Sequence, residues 1–173
     1  GEAEEGAGGE EEMQAVLPGT FGAPAEVLRI AEARSPEIGE NGVLVRVRSA
    51  AVARGDWLIA NGLPYIARPS YGVRRPRQRI AGIDAAGVVE AVGHAVTRFA
   101  PGDQVVGWGR GTLAEYASVP ESQLTPKPEQ IGFDQAAAIP TSGITALQAI
   151  RDKGGVSEGD RVLVIGAAGG VGS

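Results

Sequence analysis

Apolar and polar positions alternate in short runs between residues 13 and 119. In the run 43–48, Val43, Val45 and Val47 fall on one face and Arg46 and Arg48 on the other, the period of a half-buried strand. Comparable runs at 13–17, 27–31, 85–92, 104–108 and 112–119 are separated by turn formers such as Glu40-Asn41-Gly42 and Pro101-Gly102-Asp103. Residues 56–60 read as a short helix, with Asp56 near its N-terminus and Gly62 as its stop. Many short strands with turns every ten or so residues predict a closed or nearly closed β-barrel.

Beyond Pro126-Lys127-Pro128 the pattern changes. Residues 134–139 start a helix, Pro140 interrupts it, 143–153 continue it and Gly154-Gly155 end it. The apolar run 161–165 then predicts a strand buried on both faces, as in parallel sheets. It leads straight into Gly166-Ala167-Ala168-Gly169-Gly170-Val171-Gly172. In a dinucleotide-binding turn one small residue permits the turn, the next lets backbone approach a pyrophosphate, and the third lets helix pack on strand. Ala167, Gly169 and Gly172 fit those three places. A Gly-Asp-x-Val turn precedes two of the strands, at Gly102-Asp103 and at Gly159-Asp160.

Charge alters this picture at one end. The net charge is −5, but the first twelve residues hold six of the 21 acids and no base, leaving 15 acids against 16 bases in the body. A Gly/Glu tract cannot bury enough apolar surface to order itself, so residues 1–12 are expected to be a disordered acidic tail. A natural start at Met13 and a solvated passenger before it are the expectation. The chain has no cysteine, which excludes disulfides and thiolate metal sites. No apolar run approaches the length needed to cross a bilayer, and a cytoplasmic protein without membrane or nucleic-acid partners is expected. The arginines of residues 68–79 read as a solvated basic loop, at most the rim of an anionic ligand site. The lone histidine, His94, reads as a surface turn residue and not as a ligand.

Taken together and in order, residues 81–93, 96–105, 114–116, 135–138, 143–146 and 166–172 resemble the medium-chain dehydrogenase/reductase family, in its zinc-free quinone-oxidoreductase-like branch. The resemblance implies a mainly β GroES-like barrel over 13–130, then over 131–173 a bridging helix and the first β–α unit of a truncated Rossmann α/β domain. It also implies NADP (or NAD) as cofactor, a small-molecule substrate in the cleft, and a homodimer as the candidate assembly of the full-length protein. Zinc is not expected, because the family's first ligand position falls at Ala53 and the second region at Ile83-Asp84, where a His-Glu pair would stand.

The expected cofactor residues are Thr145 and Gly166, Ala167, Ala168, Gly169, Gly170, Val171 and Gly172. The substrate-side candidates are Asp56, Trp57 and Tyr65; no catalytic residue and no metal ligand is assigned. The implied activity of the full-length protein is hydride transfer to a quinone, enone or carbonyl compound, the fragment itself being inactive. The alternative is a noncatalytic GroES-like binding or structural protein of the same fold.

Overall fold

A computed structural model describes residues 12–173. Its elements are β1 (Glu12–Pro18), α1 (Pro24–Val27), β2 (Leu28–Arg34), β3 (Gly42–Ala51), α2 (Arg54–Asn61), α3 (Arg68–Tyr71), β4 (Asp84–Val92), β5 (Gln104–Trp108), β6 (Tyr116–Pro120), β7 (Leu124–Pro126), α4 (Phe133–Ala137) and α5 (Pro140–Leu147).

The alternation read from the sequence becomes two antiparallel sheets. β1 and β2 form a hairpin, and the larger sheet has the order β6-β3-β4-β5-β7. The hairpin joins that sheet through the segment before β6: Ala15 bridges Ala114, and the Val16 amide donates to the Leu113 carbonyl at 2.8 Å. The inward side chains of β3 meet those of its neighbours in one core of Val43, Val45, Val89, Val105, Val119 and Phe99. Burial of such side chains is the dominant favourable term for a sheet of this size. β3 and β4 approach very closely at Gly87, where a Cβ would lie 2.3 Å from the Arg46 carbonyl oxygen. A side chain there has no room.

A second core layer attaches the helices. Ala136 and Ala137 of α4 are buried against Ala86 and Val106, with Ile131 and Phe133 around them. The small side chains let α4 lie close on the sheet, and α5 follows it directly. The chain then continues as a wider helical turn, Gln148–Lys153, of the i→i+5 kind.

The repeated Gly-Asp turn takes one form at both places. The Asp103 carboxylate accepts the Ala100 amide at 2.9 Å, and the Asp160 carboxylate accepts the Ser157 amide at 2.8 Å. Gly102 and Gly159 both have positive φ, 97° and 92°.

Three expectations are corrected. Residues 161–165 do not form a strand: they have no ladder partner among the described residues, and Leu163 and Ile165 are 85% and 90% exposed. A parallel neighbour comes only through a crossover of a dozen or more residues, and none is present between Arg161 and Ser173. Residues 68–79 are not a loop throughout, since Arg68–Tyr71 form the short α3, capped at Gly72. The strand expected over 112–119 is shorter, because Leu113 to Glu115 bond the hairpin, Thr112 bonds the Gly82 carbonyl, and the β6 ladder begins only at Tyr116. The acidic tail expected over 1–12 lies outside the described residues up to residue 11.

Gly87→Ala is expected to cost at least about 2 kcal/mol, because the added methyl must separate β3 from β4. Urea unfolding checks this, and a loss under about 0.5 kcal/mol would contradict the close approach.

Candidate active site

β3 ends at Ala51 and the chain turns at once into α2. Asp56, in the first turn of that helix, accepts the Ala53 amide at 2.8 Å, closing the N-terminus. Gly62, at φ 68°, stops the helix. Asp56 therefore is a helix cap, and it also lines a cavity of about 120 Å³ with Trp57, Ala60, Pro76, Gln78 and Leu113. Burial raises the Asp56 carboxyl above the usual carboxylate range; the Ala53 hydrogen bond opposes this, and the Asp84 charge adds to it. The cavity is otherwise almost wholly apolar, the wall an apolar ligand requires. Arg54 stacks its guanidinium 3.9 Å from the Trp57 ring centroid.

Asp84 opens β4 between Ala51 on one side and Trp108 on the other. It is only 1% exposed. Its two carboxylate oxygens accept the Thr141 amide at 3.2 and 3.3 Å, and Oδ1 also accepts the Thr141 hydroxyl at 2.5 Å. Thr141 is the second residue of α5, so a strand residue supplies the helix N-terminus with the acceptor its own sequence lacks. One turn on, the Thr145 hydroxyl donates to the Thr141 carbonyl at 2.6 Å. Burial raises the Asp84 carboxyl, while the Thr141 hydroxyl and amide pull it down.

Beyond α5 the glycine turn lies back toward the helix: a Cβ on Gly170 would meet the Ser142 hydroxyl at 3.4 Å. The Gly169 and Gly172 amides close turns onto the Gly166 and Gly169 carbonyls. Those of Ala167, Ala168, Gly170 and Val171 have no backbone acceptor among the described residues. Gly172 admits no side chain, since a Cβ would fall 2.5 Å from the Gly166 carbonyl oxygen. Open amides in a glycine-rich turn suit an approaching phosphate.

The structure thus brings Asp56 and Trp57 to one cavity and sets Thr145 on a helix tied to Asp84. Tyr65 lies elsewhere, 70% exposed, with its ring 4.6 Å from the Arg68 guanidinium. Sequence reasoning gave Thr141 no role; the missing N-cap side chain at Ile139, beside a buried acid in β4, was the available sign. Ala53 offers only its amide at the family's first ligand position. His94 faces Glu40 at 3.8 Å in an exposed turn. Among the described residues no group of three or more His, Cys, Asp or Glu is placed to hold a metal ion.

The alcohol dehydrogenase GroES-like domain family matches residues 39–129. The chain belongs to that family, within the medium-chain dehydrogenases/reductases. It is similar to the quinone oxidoreductase of Sus scrofa, 34% identical over 95% of this chain and 48% of that one. It is also similar to a pikromycin polyketide synthase component of Streptomyces venezuelae, 36% identical over 82% of this chain and 4% of that protein. Among solved structures, the quinone oxidoreductase from Coxiella burnetii matches with a TM-score of 0.82 at 33% identity, over 94% of this chain and 51% of that one. The chain spans about half the length of the quinone oxidoreductases it matches. The mostly β GroES-like fold expected of this family is therefore the observed one, but the closed or nearly closed barrel expected from the strand pattern is corrected: the larger sheet is open at β6 and β7, which have no ladder partner beyond β3 and β5 among the described residues.

Thr141→Val leaves the buried Asp84 carboxylate short of its hydroxyl donor and is expected to destabilise the GroES-like domain by about 1–3 kcal/mol. The Asp84 carboxyl titrates higher in the folded chain than the unfolded value of 3.8. The native state therefore binds the extra proton, and stability falls as pH rises from 3.8 through the folded value. Asp84→Asn should abolish that part of the decline; parallel pH–stability curves for the two proteins would contradict the assignment.

Proposed function

We propose that this chain is the barrel side of an NAD(P)H-dependent reductase that transfers hydride, without zinc, to a quinone, enone or related carbonyl compound. The observation that carries this reading is the line from the apolar cavity at Asp56 and Trp57, through buried Asp84 and Thr141, to Thr145 and the glycine turn. Its hydrogen-bonded part is Asp84–Thr141–Thr145; the cavity carboxylate of Asp56 feels Asp84 through its charge, and the glycine turn follows from the helix along the chain. Relatives named quinone oxidoreductase and 2-methylene-furan-3-one reductase support the same substrate class.

A bound nicotinamide cofactor supplies the hydride. The open amides of Ala167, Ala168, Gly170 and Val171 would hold its phosphates, and Thr145 would serve its nicotinamide end. Trp57 and Leu113 exclude water from the apolar part of the acceptor. Asp56 keeps Oδ2 on the Ala53 amide, which leaves Oδ1 to orient a polar group of the acceptor or an ordered water. With Ala53 at the first ligand position, charge developing on the acceptor is met by hydrogen-bond donors and not by a metal. The work is cytoplasmic, on a small molecule.

The test is NADPH oxidation by the longer protein that carries these residues, with a quinone and an enone as acceptors. Turnover of either is expected, unchanged by a strong chelator. No turnover with any acceptor would favour a noncatalytic protein of the same fold. The 173 residues alone are expected to take up NADPH weakly, and tight stoichiometric binding would contradict the division of the site.

A further inference from the structure

Segment 76–82, between α3 and β4, is a wall with two sides. Pro76, Ala81 and Gly82 line the apolar cavity beside Asp56, while Arg77, Arg79 and Ile80 line a separate groove of about 300 Å³, and Gln78 lines both. Arg110, from the loop after β5, completes the groove with Pro36, Tyr116 and Ser118. Its polar lining is therefore dominated by three guanidinium cations and two hydroxyls, and no described carboxylate is part of it. Glu115, adjacent in sequence to Tyr116, turns its carboxylate to the Gln14 amide of the hairpin, and Glu37, beside Pro36, lies outside the lining.

The backbone holds the arginines on a fixed frame. The Arg77 amide donates to the Tyr71 carbonyl at 2.8 Å, and the Ala81 amide to the Val16 carbonyl at 2.8 Å. The amides of Gly109, Gly111 and Leu113 donate to the carbonyls of Ile83, Gly82 and Ala81, which ties the two arginine-bearing segments together. Gly111, at φ 75°, comes so near that a Cβ there would lie 3.3 Å from the Ile80 Cβ. Ile80 follows Arg79 and Gly111 follows Arg110, so this approach brings arginines from distant parts of the chain to one groove. All three arginines are exposed. Like charges gathered on one concavity repel one another, and an anion seated among them relieves the repulsion.

We propose that the groove of Arg77, Arg79 and Arg110 binds the phosphate group of a small phosphorylated organic molecule, as a site separate from the glycine turn and independent of the reductase reading. A phosphate monoester brings a charge of about −2 at neutral pH and three strong acceptor oxygens. The guanidinium fork takes such oxygens in pairs. A carboxylate, with one charge and two oxygens, matches three arginines less well. Pro36 and Ile80 give the organic part of the ligand an apolar wall. The one ring, Tyr116, provides no run of stacking platforms, which sets a nucleic acid aside.

The test titrates inorganic phosphate, hexyl phosphate and hexanoate into the 173-residue chain at low salt and about pH 7.5, where the phosphates are largely dianionic. Backbone amides and arginine Nε–H groups are followed by NMR. Saturable shifts are expected at Arg77, Arg79, Arg110 and Gly111, with hexyl phosphate bound about fivefold tighter than inorganic phosphate through its buried methylenes. Hexanoate should bind about tenfold more weakly than hexyl phosphate. Arg79→Gln and Arg110→Gln should each lower the affinity for hexyl phosphate about tenfold. Thermal melts confirm that these variants fold, and the mapping on the unaltered chain needs neither. Shifts confined to residues 167–171 would overturn the proposal in favour of the glycine turn. Equal affinity for inorganic and hexyl phosphate would overturn it in favour of a free-phosphate site, and equal affinity for hexanoate would overturn the preference for phosphate. Shifts that do not saturate, or that appear equally at Arg46 and Arg48, would overturn the site itself.

Discussion

The arrangement depends on one buried carboxylate. Asp84 stands in the sheet between Ala51 and Trp108, almost without solvent, and both its oxygens are turned to Thr141. A buried acid is costly unless its acceptors are filled. Here filling them is what fixes α5 to the barrel. The helix gains the N-terminal acceptor that Ile139 cannot provide, and the carboxylate gains two donors that offset part of the cost of its burial. Neither partner would be well placed without the other.

The rest of the fold holds this contact in position. The β3–β4 pairing, close enough at Gly87 to exclude any side chain, sets where Asp84 emerges relative to α2. That brings its charge near enough to Asp56 to reinforce the effect of burial there. Ala136 and Ala137 bring α4 down onto the sheet, so that α5 begins beside β4. An apolar cavity with one carboxylate therefore lies on one side of Asp84, and the helix leading to the glycine turn on the other.

The sequence was most informative where periodicity carried the information. The alternation of Val43, Val45 and Val47 with Arg46 and Arg48, the glycine stop at Gly62 and the twin Gly-Asp turns each encode a local structure that does not depend on distant partners. The run 161–165 shows the opposite case. Its composition favours a strand, but a strand is completed only by a neighbour, and the described residues contain none. The site shows the same division. Asp56 was legible because a cap is a local device, and its cavity-facing role rode on the same residue. Thr141 was not legible: its function depends on an acid 57 positions away, and spacing along a chain does not encode such a contact. Arg77 and Arg79 were visible as a cluster of charge, but the groove they line with Arg110 takes its walls from Pro36, in the loop after β2, and from Tyr116 of β6.

Native-state hydrogen exchange at the Thr141 amide tests the central claim most directly. If Asp84 fixes the bridging helix to the barrel, this amide is protected nearly as well as the core amides of Val89 and Val105. Exchange at the rate of the exposed residues after Lys153 would show that α5 is not held by Asp84, and the proposed connection between cavity and glycine turn would fail with it.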